Sequence, residues 1–307
     1  MKKILLSKAN FYFFVFLTGC CLLFSSAQVS HAQSRLALLV GNAAYKNGPL
    51  RNPVNDINAM SSALKSAGFE VMILKNADRS QIGKAIDEFG RKLAKKDVGL
   101  FYFSGHGLQV KGRNYLVPIG MKVQGEADVQ YEAIDAGRVL AKMEDAGNRM
   151  NIVILDACRN NPFKRSFRSG QNGLAQMDAP TGSFIAFATA PGTVALDGKG
   201  SNSPYVSHMV KNMGKKNLTI EKFFKTVRIG VIKDTSRKQT PWESSSLVGD
   251  FYFSGKSAGA AQTQSQPASV QSNKPPQQTQ SAPAPAPRPA AKPKQSQDEQ
   301  MMDMLLN

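Results

Sequence analysis

Apolar positions along the chain alternate between two spacings. Apolar-rich runs at residues 35–40, 69–74, 98–103, 152–155 and 183–188 read as strands, and the continuous apolar run 98–103 as one buried on both faces. Between them, Ile82, Ala85, Ile86, Phe89 and Leu93 fall at i, i+3, i+4, i+7 and i+11, which is one face of a helix. Ile220, Phe223, Phe224, Val227 and Val231 repeat that spacing. Further helices are predicted over residues 54–67, on weaker periodicity over 131–145, and around 203–210. Phe251-Tyr-Phe253 is expected to close the sheet edge. Strands alternating with helices predict an α/β domain over residues 33–255, with a mostly parallel sheet and helices on both faces.

The ends read differently. Lys2, Lys3 and Lys8 precede an apolar stretch from Phe11 to Phe24, and Ser30-His31-Ala32 offers a small-x-small cleavage site. Residues 1–32 therefore read as a signal peptide, and the protein is expected to be exported, periplasmic or secreted. Leu17-Thr-Gly-Cys20 resembles a lipobox, but Cys21-Leu-Leu-Phe24 continues apolar past it. The run is short for a spanning anchor. Membrane contact is expected only through this leader, if it stays uncleaved or lipidated. Residues 256–297 are Gln, Pro, Ala, Ser and Lys, a composition that cannot build a core and predicts disorder. Met301 to Leu306 is apolar again. The chain has 39 Lys and Arg against 22 Asp and Glu. The basic residues are scattered and not interleaved with aromatics, so a solvated basic surface is expected, and no nucleic-acid partner.

Of three cysteines and three histidines, the leader removes Cys20, Cys21 and His31. Cys158, His106 and His208 remain, and no internal disulfide can form. Cys158 leaves the apolar run 151–155 in Asp156-Ala-Cys-Arg-Asn160. His106 leaves the run 99–103 in Ser104-Gly-His-Gly107. Ligands of parallel sheets bind outside the carboxyl ends of the strands, where both residues stand. A thiol attacks as thiolate, and a neighbouring imidazole lowers its pKa. Gly107 leaves a backbone N–H unobstructed, and with the N–H of Cys158 it could hold an oxyanion. A packed core thiol and a polar loop histidine are the plain alternatives. His208 falls in a predicted helix and reads as a surface or packing residue. No His/Cys/Asp cluster has metal-ligand spacing. Asn42-Ala-Ala-Tyr-Lys46 lacks a phosphate-binding glycine pattern.

Ser104-Gly-His-Gly107 and Asp156-Ala-Cys-Arg159, each after an apolar strand, resemble the caspase–metacaspase clan of cysteine peptidases. The His–Cys spacing agrees. Asn55-Asp56, Ala190-Pro-Gly-Thr-Val-Ala-Leu-Asp197 and Lys238-Gln-Thr-Pro-Trp242 resemble its bacterial metacaspase and paracaspase branch. The resemblance covers about residues 34–255. It implies a caspase-haemoglobinase fold and a Cys158–His106 dyad acting through an acyl-enzyme. It names no third catalytic residue and no cofactor; calcium activation is left open and is not indicated by the sequence.

Asp156 stands where caspases proper carry Gln, and Asp56 matches a second acidic pocket position. Asp197 is a third candidate. Carboxylates in a desolvated pocket favour Arg or Lys at P1, so protein or peptide substrates cut after basic residues are expected. Asp56 also stands where a helix N-cap would, and Asp156 where an Asx turn would. Arg51 and Arg159 complicate the local charge. Arg159-Asn-Asn161 departs from the His-Ser-Gly usual in metacaspases. Lys164, Arg165 and Arg168 make the loop 162–168 a candidate for self-cleavage. Two other readings compete: a catalytically silent caspase-like binding module tethered by its tail, and a different cysteine hydrolase such as an amidase. Oligomeric state is not readable from the sequence.

Overall fold

The computed structural model describes residues 33–157 and 173–255. The expected leader, Cys158 with the basic loop 162–168, and the tail from residue 256 lie outside these residues.

Five parallel strands form most of a six-stranded sheet: β1 (Arg35–Gly41), β2 (Phe69–Lys75), β3 (Val98–Ser104), β7 (Met150–Asp156) and β8 (Ser183–Phe187). The sixth, β9 (Trp242–Ser245), runs antiparallel to β8, and the order is β2-β1-β3-β7-β8-β9. Every residue of β3 and β7 is buried, as continuous apolar runs in a doubly covered sheet require. Helices α1 (Pro53–Ser66), α5 (Pro204–Met213) and α6 (Ile220–Asp234) pack together on one face; α2 (Arg79–Leu93) and α4 (Ala136–Asp145) pair on the other. The buried face of α2 is the predicted set Ile82, Ala85, Ile86, Phe89 and Leu93. Its start is fixed by a capping box: Asp78 accepts the N–H of Gln81 at 2.8 Å, and the Gln81 side chain accepts the N–H of Asp78 at 2.9 Å.

Directly after β3 the chain forms a hairpin, β4 (Gly107–Val110) and β5 (Arg113–Leu116), joined by β6 (Ile134–Asp135) into a small antiparallel sheet. One face of it covers a second apolar cluster that includes Tyr45, Leu108, Val110, Tyr115 and Val117.

Two expectations are corrected. The helix predicted over 131–145 is three pieces: a short α3 (Val129–Glu132), then β6, then α4. Ala133 is extended, and the Asp135 carboxylate caps α4 by accepting the N–H of Gly137 at 2.8 Å. Phe251-Tyr-Phe253 does not close the sheet, because β9 does. Tyr252 forms an isolated bridge with Thr219, the N-cap of α6, and Phe251 and Phe253 pack on Phe69 and Phe223. Aromatic alternation is shared by a strand and by a segment laid against a core.

Candidate active site

β3 and β7 are neighbours, parallel and paired residue for residue from Val98↔Met150 to Ser104↔Asp156. In the sequence, His106 and Cys158 each stand two residues beyond that last pair. The strands that precede the two residues are thus adjacent and in register, as a dyad needs. Beyond the pair, the N–H of Gly105 still reaches the Asp156 carbonyl at 3.4 Å.

His106 is 3% exposed. Its N–H donates to the Tyr45 hydroxyl at 3.1 Å, which itself donates to the Val117 carbonyl at 2.9 Å. The Tyr45 ring lies 4.5 Å from the imidazole, centroid to centroid. Imidazole Nε2 is 2.6 Å from the carbonyl oxygen of Gly48 in the loop after β1. A carbonyl can only accept, so Nε2 carries the proton and Nδ1 of the neutral ring carries the lone pair. Sequence reasoning missed Gly48 and Tyr45. A backbone carbonyl leaves no side-chain signature, and Tyr45 reads as an ordinary loop aromatic.

Gly107 lies opposite Leu116 in the hairpin. The N–H of Val117 donates to the carbonyl of His106 at 3.0 Å, which makes Gly107–Leu116 a non-hydrogen-bonded pair. The N–H of Gly107 therefore points away from β5. A Cβ at this position would collide with the carbonyl oxygen of Ala157 and stand 3.0 Å from the Ala157 methyl. Only glycine lets the hairpin come this close to the end of β7.

Asp56 on α1 and Asp156 at the end of β7 are both fully buried, and they meet at one residue, Ser203. The N–H of Ser203 donates to Asp56 Oδ1 at 2.9 Å, and its hydroxyl donates to Asp156 Oδ2 at 2.7 Å. Asp56 also accepts the Ser104 hydroxyl at 3.2 Å and the Asn202 amide at 3.1 Å. Asp156 is 3.5 Å from the Tyr102 hydroxyl. Asp56 lies inside α1, one turn past the N-cap Asn52, and its carboxylate accepts from Ser104, Asn202 and Ser203, which belong to other segments. Ser203, Asn202, Ser104 and Tyr102 were not singled out from sequence. Asp197 is placed differently. Its carboxylate accepts the N–H groups of Arg51 at 2.6 Å and Asn52 at 3.3 Å, holding the loop after β8 to the start of α1. Arg51 turns its guanidinium to the carbonyl of Lys199 at 3.0 Å.

Gln239, also missed, is 1% exposed. It donates to the carbonyl of Ala188 at 2.8 Å and accepts the N–H of Leu196 at 3.0 Å, tying the same loop to the segment after α6. His208 sits on α5, with Nε2 2.7 Å from the carboxylate of Asp234 on α6, in a packing role. Among the described residues no three His, Cys, Asp or Glu side chains gather as metal ligands would.

The model of the caspase domain of peptidase family C14 matches residues 34–252. The chain belongs to the caspase-domain family of cysteine peptidases. Among curated relatives, the human mucosa-associated lymphoid tissue lymphoma translocation protein 1 is 29% identical over 129 residues, 42% of this chain and 15% of that protein. A probable protease from a Desulfuromonadales bacterium is 28% identical over 127 residues, 39% of this chain and 15% of that protein. The chain thus matches about 15% of the length of these relatives. In structure, caspase-1 of Spodoptera frugiperda is similar with a TM-score of 0.53 at 17% identity, covering 73% of this chain and 92% of that one. At that identity the likeness speaks for the fold, a mostly parallel central sheet flanked by helices.

Proposed function

We propose that this caspase-family member is an exported endopeptidase that cuts after Arg or Lys through a Cys158–His106 dyad. The observation that carries the specificity is the meeting of two fully buried carboxylates, Asp56 and Asp156, on Ser203 at the end of the strand pair that leads to His106 and Cys158. A guanidinium offers five donors in a planar fork and suits such a site, and an ammonium suits it by charge alone.

The chemistry follows from the tautomer of His106. With Nε2–H held by Gly48, Nδ1 takes the thiol proton. The Cys158 thiolate attacks the scissile carbonyl, and the carbonyl π pair moves to oxygen, where the N–H groups of Gly107 and Cys158 stabilise it. The tetrahedral intermediate collapses, the C–N bond breaks, and Nδ1–H protonates the departing amine. Water then gives a proton to Nδ1 and attacks the thioester. Collapse expels the thiolate and frees the acid. Cleavage within 162–168, which offers three basic residues, is the expected self-processing event.

The test is a peptide panel with Arg, Lys, Asp or Ala at P1, offered to the full chain under reducing conditions with and without calcium, with Cys158→Ala as control. Cys158-dependent turnover of Arg and Lys peptides is expected. Cleavage after Asp alone would overturn the pocket assignment. Binding without turnover would leave a caspase-like binding module. N-terminal sequencing of fragments settles self-processing: identical fragments from wild type and Cys158→Ala would exclude it.

A further inference from the structure

Residues 173–175 are clamped to the β4–β5 hairpin. Asn114 of β5 is 3% exposed. Its side-chain amide donates to the carbonyl of Ala175 at 2.7 Å and accepts the N–H of Ala175 at 2.7 Å, so one side chain closes the two-bond ring that a strand partner would supply. On the other side, the N–H of Gly192 donates to the carbonyl of Leu174 at 3.1 Å. Gly173 has φ of +70°, and a Cβ there would stand 2.8 Å from the backbone nitrogen of Thr193 and collide with the Thr193 carbonyl. The clamp leaves Leu174 1% exposed. Its Cδ2 is 3.1 Å from where a Gly107 Cβ would be, beside the Ala157 methyl. Gly107 is therefore held between Ala157 and Leu174, with its N–H turned away from the β5 ladder.

We infer that Asn114 is a positioning residue for the oxyanion donor at Gly107, acting through Leu174. This rests on the peptidase reading above. Pairing with β5 turns the Gly107 N–H outward, and the fine aim of that donor then depends on what packs against the glycine. Leu174 is the packing partner from the far side of the nucleophile loop, and Asn114 fixes Leu174 by holding its neighbour at both polar atoms. The arrangement couples the integrity of residues 173–175 to a donor that stabilises the tetrahedral intermediate and plays no part in forming the thiolate.

That separation supplies the test. Alkylation of Cys158 by iodoacetamide displaces iodide without forming an oxyanion; it reads the thiolate alone. Peptide acylation needs both thiolate and oxyanion donor. Removing an oxyanion donor costs about 10²–10³ in kcat, so displacing one should cost about 10- to 100-fold. In the full chain, Asn114→Ala is expected to lower kcat for an Arg-P1 peptide by that factor. KM and the rate of Cys158 alkylation should stay within about twofold. Leu174→Ala should give the same split, and Leu174→Met should restore most of kcat; this pair carries the test if Asn114→Ala does not fold. Parallel loss of alkylation and hydrolysis would overturn the positioning role in favour of general disorder of the site. Unchanged hydrolysis in both variants would overturn it as well. A wild-type chain that alkylates at Cys158 but hydrolyses nothing refutes the peptidase reading, and the positioning role falls with it.

Discussion

Ser203→Ala is the substitution whose cost the structure specifies most closely. The Ser203 hydroxyl does two things: it accepts the N–H of Val206 at 3.1 Å as the N-cap of α5, and it donates to the buried Asp156 carboxylate at 2.7 Å. Losing a serine cap costs about 1 kcal/mol. Losing a hydrogen bond to a buried charge costs about 1.5–3 kcal/mol. Together these predict a loss of about 2.5–4 kcal/mol, or about 5–15 °C in Tm for a domain of this size. Thr219→Ala is the control. Thr219 caps α6 by accepting the N–H of Lys222 at 3.4 Å and touches no buried charge, so only about 1 kcal/mol should be lost. In an Asp156→Asn background the serine hydroxyl donates to a neutral amide instead, a bond of about 1 kcal/mol, and Ser203→Ala should cost about 2 kcal/mol. The double-mutant cycle therefore expects a coupling of about 0.5–2 kcal/mol between Ser203 and Asp156. Urea unfolding of the four proteins, made in a Cys158→Ala background to prevent proteolysis, measures it. Equal costs for Ser203→Ala and Thr219→Ala, with no coupling to Asp156, would refute the idea that Ser203 stabilises a charged pocket.

Other outcomes follow from single contacts. Gly107→Ala places a methyl against the Ala157 carbonyl, so it should destabilise by about 1–3 kcal/mol and abolish most turnover, measured by thermal melts and peptide kinetics. The buried Tyr205 hydroxyl has no hydrogen-bond partner among the described residues, so Tyr205→Phe should raise stability by about 1 kcal/mol. Burial, joined by the carboxylates of Glu243 and Asp156, pushes the Tyr205 phenol well above its ordinary value of 10.0. Below pH 10 both folded and unfolded tyrosine keep the proton, and its contribution is flat. Above pH 10 only the unfolded chain releases it, so wild-type stability should fall by up to about 1.4 kcal/mol per pH unit from this group, a slope that Tyr205→Phe removes. Gln239→Ala leaves the Leu196 N–H and Ala188 carbonyl without their partner, and urea unfolding should show a loss of about 2–4 kcal/mol.

The apolar pattern was enough to locate strands β1, β2, β3, β7 and β8 and the long helices, because each carries a run or a stripe that fits one element. It failed where pieces were short. Residues 131–145 read as one weak helix because Val139, Leu140 and Met143 dominate the pattern, while the break is made by Asp135 capping the second piece. The hairpin β4–β5 is four residues a side and was hidden behind the Gly-rich motif that drew attention to its chemistry. Edge strand β9, Trp242-Glu-Ser-Ser245, has no apolar run at all, and its place is set by pairing with β8. At the site, Asp56 and Asp156 were legible as residue types at family positions. Ser203 was not, since a serine before a proline reads only as a helix cap. Its second bond exists because α5 starts beside the end of β7, a tertiary fact. Gln239 and Asp197 lie in motifs that were noticed, and the structure gives those motifs a mechanical reason: both side chains hold the loop after β8.

The register of β7 against β3 ties the candidate pocket to the candidate nucleophile. Side chains alternate faces along a strand, and paired residues of parallel strands share a face. Tyr102 and Ser104 of β3 and Asp156 of β7 therefore project to the side covered by α1 and α5, where Asp56 and Ser203 receive them. Ala157 comes next, and its methyl and carbonyl meet Gly107 of the hairpin. Two consecutive residues thus build two different walls, one acidic and one against Gly107, immediately before Cys158 in the sequence. A slip of one residue in β7 would send Asp156 to the wrong face and remove the Ala157 contact in the same step. Such a slip would expose the apolar side chains that keep β7 buried along its whole length, so the core pays the cost of any misplacement. Packing of β7 therefore fixes Asp156 toward α1 and α5 and Ala157 toward Gly107, the placement that the proposed selection of basic residues by an acid two residues before the thiol requires.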